Sequence, residues 1–369
     1  MTRPVIGSIG PWSSGEVLPT AEVVLAPNPS PMTLDGTNTW VLGEPGTPAV
    51  IIDPGPADDR HLEAVRRVLE RRDQPVAVIL LTHGHVDHSE GAELFSRELR
   101  APVRALDPAH RHGNEGLAAG DVVAVGSVEI AVVGTPGHSS DSLSFHLRPE
   151  RAVLTGDTLL GRGTTVVAWP DGSLRDYLRS LAELRSLTDT HDLTHALPGH
   201  GPATTDPGSL LDEYLQHRHE RLDQVRAAIE AGAASVAEVV AMVYEPLPPG
   251  VYPAAYASAA AQWEYLTGRP AGEPCSVAPV RRLDDTSRLL VHPCGDTSDA
   301  AGPVAHSASH PHHQPLGQRR VGGDQQREPG GHPGYRGAAD HPRYPRSVVR
   351  SIWFGCSARS RPDGRPSGR

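Results

Sequence analysis

Apolar positions in the first two thirds of the chain fall into two alternating kinds of pattern. Short β-rich runs at Val23 to Ala26, Asn38 to Leu42 and Ala49 to Asp53 are separated by the turn-forming stretches Pro27 to Pro31 and Glu44 to Pro48, and predict the opening strands of a sheet. Asp58 to Arg72 places Leu62, Val65 and Leu69 at helical spacing among charges, and Asp73 to Pro75 ends it. Val76 to Leu81 is apolar throughout, as a buried strand is, and Glu90 to Leu99 predicts a helix behind it. Further strands are predicted at Pro102 to Ala105, Val122 to Val125, Val128 to Val133, Ser142 to Leu147, Ala152 to Thr155 and Leu193 to Leu197. Among them Leu174 to Leu187 is an amphipathic helix with Ser173 as its N-cap. From Ser209 to Leu266 the period is helical only. Leu211, Leu215, Leu222, Val225 and Ile229 form one stripe, and Ser235 to Tyr244 and Tyr252 to Leu266 predict two more helices. Helices of this size bury too little surface to stand alone, so they are expected to dock on the sheet domain. Beyond Gly268 the periodicity ends.

The strand ends carry the candidate chemistry. Thr82 to Ala92, THGHVDHSEGA, holds His83, His85, Asp87 and His88 directly after an apolar run, so several metal ligands leave one strand end together. The competing reading is a polar surface loop, and four candidate ligands behind a buried strand weigh against it. Later strand ends repeat the placement with His138, Asp157 and His200. Taken alone, an Asp in a turn would be ordinary. Seven candidates together exceed what one tetrahedral ion takes, and suit two ions sharing a bridge. Neutral imidazole and carboxylate favour zinc, with iron and manganese as competitors, and no cysteine is near enough to offer sulfur. His110 and His112, an i, i+2 pair without a preceding strand or nearby carboxylate, read as surface histidines.

Charge narrows the partners. Of the net −10 over 369 residues, the chain through Pro270 contributes −15 (20 Arg against 35 Asp plus Glu) and Ala271 to Arg369 contributes +5 (14 against 9); lysine is absent. An acidic body argues against general nucleic-acid binding, which draws its affinity from cations meeting phosphates. Cys275, Cys294 and Cys356 all lie in the C-terminal third, so the body has no disulfide framework, which fits a cytoplasmic protein. The N-terminal MTRPVIGSIGPWSSGE lacks the apolar core of a signal peptide, and no stretch approaches the roughly 20 apolar residues of a membrane span. A soluble, cytoplasmic body without a membrane partner is therefore expected. Ala271 to Arg369, rich in Pro, Gly, Ser, Arg and His, predicts a disordered basic tail, in which His310, His312 and His313 reflect biased composition rather than a metal site. The abrupt switch of character there suggests a frameshifted or mis-assigned reading frame.

Taken in order, THGHVDHSEGA, TPGHSSDS, LTGDTLL and LPGHGP resemble the metallo-β-lactamase superfamily across roughly Val23 to Pro207. PNPSPMTLDGTNTWVLG and GDTLLGRGTTVV resemble more narrowly its lactamase-β-like branch close to glyoxalase II. That branch contains endoribonucleases acting on single-stranded RNA and thioesterases that release polyketides from acyl carrier protein. Tyr214 to Arg221 is similar to the branch's helical C-terminal subdomain, which covers the metal site. The resemblance implies an α/β fold, a four-layer αββα sandwich with a small C-terminal helical subdomain. The organisation would be a catalytic domain over 1–208, the helical subdomain over 209–270 and the tail over 271–369. It also implies that His83, His85 and His138 hold one zinc and Asp87, His88 and His200 the other, with Asp157 between them. Arg162, Thr164, His217 and Arg218 would lie near substrate, with an ion-pair role as the alternative for His217 and Arg218. Gly84 departs from the relatives, which often carry a bulkier residue there.

In such a site two ions about 3.5 to 4 Å apart share a water and lower its pKa from near 16 toward about 7. One ion polarises the carbonyl or phosphoryl oxygen and the other stabilises the leaving group. Asp87, a ligand with a free carboxylate oxygen, would be placed to orient the attacking water and accept its proton. Three functions are compatible with this pattern: a hydrolase of thioester or ester small molecules, which the acidic body favours; a single-stranded-RNA endoribonuclease; and a non-catalytic, metal-stabilised binding module, which the complete ligand set disfavours. A di-iron redox enzyme would need a flavodoxin-like partner domain, for which the chain has no sequence. The oligomeric state is left open.

Overall fold

A computed structural model of the protein describes residues 11–271, apart from 245–246 and 248–249. The strands β1 (Gly15–Leu18), β2 (Ala21–Leu25), β3 (Asn38–Leu42), β4 (Ala49–Ile52), β5 (Val76–Leu80) and β6 (Val103–Arg104) lie in that order in one sheet. The first four pair antiparallel, whereas β4, β5 and β6 run parallel. A parallel pair needs a crossover, and helix α1 (Asp59–Arg71) supplies the one between β4 and β5. The second sheet has the order β11 (His195–Pro198), β10 (Ala152–Gly156), β9 (Leu143–Leu147), β8 (Val128–Gly134), β7 (Val122–Val125). Its one parallel pair, β10 with β11, is crossed by α4 (Leu174–Thr190), N-capped by Ser173 as predicted.

Alternation along the strands sorts the side chains into three cores and so builds four layers. In β4, Val50 and Ile52 face the second sheet while Ala49 and Ile51 face α1. In β3, Trp40 and Leu42 point inward and Val41 outward; in β10, Ala152 and Leu154 point inward and Val153 outward. Strands buried on both faces need apolar residues at nearly every position, which is why Val76 to Leu81 carries no polar one. The outer face of the first sheet is covered by Leu62, Val65, Val68 and Leu69 of α1 and by Phe95. The outer face of the second is covered by α4 together with α5 (Pro207–Glu230), α6 (Val236–Val243) and α7 (Tyr252–Thr267), in a single apolar cluster that runs from Val153 to Tyr214 and Trp263. This is the αββα sandwich expected.

The departures from the predicted elements are local. The helix predicted over Glu90 to Leu99 is α3 (Ala92–Leu99), which starts after Gly91, whose amide donates to the Gly55 carbonyl at 2.8 Å, and an unpredicted short helix, α2 (Val86–Ser89), precedes it within the histidine loop. Strand β1 is not among the predicted elements: its four residues are mostly half-exposed and lack an apolar run. No helix among the described residues is long and apolar enough to cross a membrane. The predicted disordered tail beyond Ala271, with its cysteines and the His310, His312 and His313 cluster, lies outside the described residues.

His61 on α1 gives the fold a pH dependence of its own. It is 1% exposed, its Nε2 lies 2.8 Å from Thr39 Oγ1, and burial holds its imidazole down at about 4 against the opposing pull of the Asp58 carboxylate. Below pH 6.5 the unfolded chain takes up a proton that the folded chain refuses until about pH 4, so stability falls as pH falls through this window. Between pH 7 and pH 5 the loss from this one residue is about 2 kcal/mol. Urea unfolding at the two pH values should show it, and His61→Gln should flatten that part of the slope; an unchanged slope in His61→Gln would remove His61 as the cause.

Candidate metal centre

The seven predicted ligands converge at one edge of the two sheets. β5 ends into His83, His85 and α2, which carries Asp87 and His88; β8, β10 and β11 end into His138, Asp157 and His200. All seven are buried, with His85 at 9% and Asp87 at 8% the most exposed, so the cluster opens to solvent on their side. The elements are stitched together at this edge by hydrogen bonds to the backbone: the Leu143 amide donates to Thr82 O at 2.8 Å, the Asn38 amide donates to Gly199 O at 2.8 Å, and Asn38 Nδ2 donates to the carbonyls of Pro198 and Gly201. Gly199 has no room for a side chain, since a Cβ there would lie 2.6 Å from Asp157 Oδ1 and 2.7 Å from His88 Cε1.

Two halves of the cluster can be told apart. His85 Nδ1 lies 3.0 Å from His83 Nε2 and 2.8 Å from His138 Nε2, a trio of imidazole nitrogens with no carboxylate as a member. In the other half His200 Nε2 lies 3.1 Å from His88 Nε2 and 3.1 Å from Asp87 Oδ2. Asp157 spans the halves, its Oδ2 being 3.3 Å from His200 Nε2 and 3.7 Å from His138 Nε2, while its Oδ1 is 3.4 Å from His88 Nε2. The groups His83/His85/His138, His83/His88/Asp157 and Asp87/His88/His200 each bring their ligand atoms within 4.8 Å of one another.

Proton affinities differ between the halves for the same reason. Burial, reinforced by neighbouring imidazoles, holds His83 well below its ordinary value and His85 down at about 3, so both rings present lone pairs. For His88 and His200 burial also pushes downward, but the carboxylates led by Asp157 outweigh it, raising His88 well above its ordinary value and His200 to about 9. Burial pushes Asp87 up, yet His88 and His200 bring it down to about 2; they hold Asp157 well below the carboxylate range.

The donor set fits divalent cations. Asp87 Oδ1 and Oδ2 and Asp157 Oδ1 are buried and make no hydrogen bond of good geometry among the described residues, having only the His88 and His200 rings nearby, an arrangement that is costly for a carboxylate unless positive charge sits beside it. The far nitrogens of the rings are held in turn. His88 Nδ1 is 2.8 Å from Asp53 Oδ2, His138 Nδ1 2.6 Å from Val166 O, His83 Nδ1 3.0 Å from Thr82 Oγ1 and His200 Nδ1 3.2 Å from Gly36 O. Such outer partners orient each ring and fix which nitrogen is free for a metal.

Asp53 is the residue that sequence reasoning misses. The apolar pattern marks it only as the last position of a strand, yet its carboxylate accepts from Thr82 N, Thr82 Oγ1 and His88 Nδ1 within 2.8 Å, from a left-handed backbone with φ of 53°. A non-glycine residue in that region is uncommon and signals a constraint; nothing local in the sequence announces it. Gly84, the departure from the relatives, has a steric reason here: a Cβ would come within 2.5 Å of His110 Nε2 and 3.1 Å of Asp141 Oδ2. His110, predicted to be a surface residue, is half-buried against the metal loop.

The four predicted substrate contacts are placed differently from one another. Arg162 and Thr164 are half-buried in the stretch after Asp157, with Arg162 Nη2 donating to Asp35 Oδ2 at 2.7 Å. His217 is half-buried on α5. Arg218 is buried, donates to the Thr165 carbonyl, and pairs with no carboxylate among the described residues.

Two sheets sandwiched between helices, with buried histidines and aspartates gathered on the loops at one edge, define a metal-binding hydrolase. The chain belongs to the metallo-beta-lactamase superfamily, whose family model matches residues 32–190. It is 34% identical to the beta-lactamase-like protein 2 homolog of Caenorhabditis elegans over 54% of this chain and 67% of that one. It is 32% identical to an atrochrysone carboxyl ACP thioesterase of Aspergillus fumigatus over 62% of this chain and 74% of that one. A metallo-beta-lactamase family protein of Thermus thermophilus superposes with a TM-score of 0.57 at 23% identity, over 68% of this chain and 94% of its own, and shares the fold.

Proposed function

We propose that the protein is a dinuclear zinc hydrolase acting on a thioester or ester of a small molecule. The observation that carries the reading is the pair of buried carboxylates, Asp87 and Asp157, three of whose four oxygens make no hydrogen bond of good geometry among the described residues, amid five converging imidazoles. His83, His85 and His138 would hold one ion and Asp87, His88 and His200 the other, with Asp157 shared. Bound there, such ions lower the pKa of a water toward about 7 and polarise a carbonyl oxygen.

The chain's own residues supply the rest. Asp87 needs only one oxygen as a ligand, so the other is available to orient the attacking water and take its proton. Its position on the more exposed side of the cluster is where an incoming acyl group arrives. The thioester preference is supported by the thioesterase among the relatives and by a net charge of −15 through Pro270, which repels a polyanion. Arg162, Thr164 and His217 are the candidate contacts to substrate in the stretch after Asp157 and on α5. The region 1–208 would carry the chemistry and 209–270 cover it.

Chelator-treated protein is expected to lose thioester hydrolysis, and to regain it with close to two zinc ions per chain. Because His88 and His200 hold protons that ions must displace, zinc affinity should rise with pH. A panel of acyl thioesters, lactones, β-lactams and single-stranded RNA decides the substrate. Cleavage of RNA at low salt with no turnover of any acyl compound would replace this reading by the endoribonuclease one, and metal binding without any turnover would leave a binding module.

A further inference from the structure

Three buried polar side chains from α4 and α5 grip the segment that connects Asp157 to the backbone behind His138, and none of them is a candidate ligand. Tyr177 of α4 donates from its hydroxyl to Thr158 O at 2.8 Å. Tyr214 of α5 accepts from the Leu160 amide at 3.0 Å. Four residues further along α5, Arg218 donates from Nη2 to Thr165 O at 2.5 Å, with its guanidinium carbon 4.9 Å from the centre of the Tyr177 ring. Arg218 is 5% exposed and has no carboxylate partner among the described residues, so the carbonyl and the ring face are what hold its charge. The following carbonyl, Val166 O, is the one 2.6 Å from His138 Nδ1, and Thr165 Oγ1 lies 3.3 Å from the same nitrogen.

We infer that Arg218 is a positioning residue for the metal centre: it clamps the Thr165–Val166 peptide from α5, so that the Val166 carbonyl fixes the His138 ring with Nε2 turned toward His85. The inference rests on the reading of His83, His85 and His138 as ligands. It gives α5 a part in the chemistry that covering the site would not. Partners that orient a ligating histidine change metal affinity by about 10- to 100-fold, and Arg218 acts one peptide beyond such a partner, so an effect of about tenfold is expected. A lysine can reach the carbonyl but cannot also lay a planar fork on the Tyr177 ring, so it should restore the effect only in part.

The test compares wild type, Arg218→Met and Arg218→Lys loaded with cobalt(II), reading affinity by chelator competition, ligand geometry by visible absorption, and exchange of the His138 Nδ1 proton by NMR in the metal-free proteins. The inference expects about tenfold weaker binding of one ion in Arg218→Met, a changed cobalt spectrum and faster exchange at His138, with Arg218→Lys in between. If Arg218→Met retains wild-type affinity and spectrum, or only melts at a lower temperature with both unchanged, the inference is overturned. Should Arg218→Met not fold, Arg218→Lys decides by the same spectrum and exchange rate, wild-type values for both counting against it. Wild type that takes up no cobalt would overturn this inference and the metal reading together, whereas normal loading in all three proteins would sink this inference alone.

Discussion

Asp157→Ala should leave at most one ion per chain and lower turnover by roughly 10³-fold or more, about 4 kcal/mol in the barrier. The oxygens of this side chain approach both halves of the cluster, Oδ2 lying 3.3 Å from His200 Nε2 and 3.7 Å from His138 Nε2. Without it two cations would face each other across a buried gap with one negative charge fewer between them, and their repulsion grows as the surroundings dry. Removing Asp157 also withdraws the largest influence holding His88 and His200 protonated against burial, so the metal-free variant should carry fewer protons there. Elemental analysis and turnover of the purified variant check this. Two bound ions with wild-type turnover would mean that the ligand set has been assigned wrongly.

The second large effect is expected at a residue that touches no ion. Asp53→Ala removes the acceptor of His88 Nδ1, 2.8 Å away, and leaves the Thr82 amide and hydroxyl, both now donating to the same carboxylate, without their partner. The lost orientation of His88 should weaken metal binding by about 10- to 100-fold. The stranded Thr82 amide adds roughly 1 to 3 kcal/mol of destabilisation, the usual cost of an unmade buried hydrogen bond. Asp53→Asn keeps a residue type that tolerates positive φ but offers one accepting oxygen, so it should lie between wild type and Ala. Chelator competition separates the first effect from the second, which urea unfolding of the metal-free protein measures. Equal zinc affinity in all three proteins would show that His88 is oriented by something else.

Both predictions concern carboxylates, yet only one is visible in the sequence. Asp157 stands in LTGDT at the end of an apolar run, a placement shared with the histidine loops, and strand-end loops are where side chains leave a sheet together. Asp53 stands at the end of an apolar run too, but its partners are 29 and 35 positions away and meet it only when β4 pairs with β5. The same holds for Asn38, which joins β3 to the end of β11 across 160 positions, and for Tyr177 and Arg218, whose contacts with Thr158 and Thr165 depend on how α4 and α5 settle on the second sheet. Residues that work through a partner leave no trace in local spacing.

Local pattern alone determined most strands and helices within a few residues and the seven candidate ligands, because alternation, helical period and strand-end position are properties of neighbouring residues, whereas the αββα class came only from the resemblance of the motifs to a known family. It could not determine that the histidine loop itself carries the short helix α2, which is held by Gly91 donating to Gly55 in the loop after β4. Nor could it determine which atoms of Asp157 face which histidines or what orients each ring. Those were decided by tertiary structure, because burial and charge act through space: a carboxylate is held ionised, and an imidazole neutral, by whatever the folded chain brings beside it.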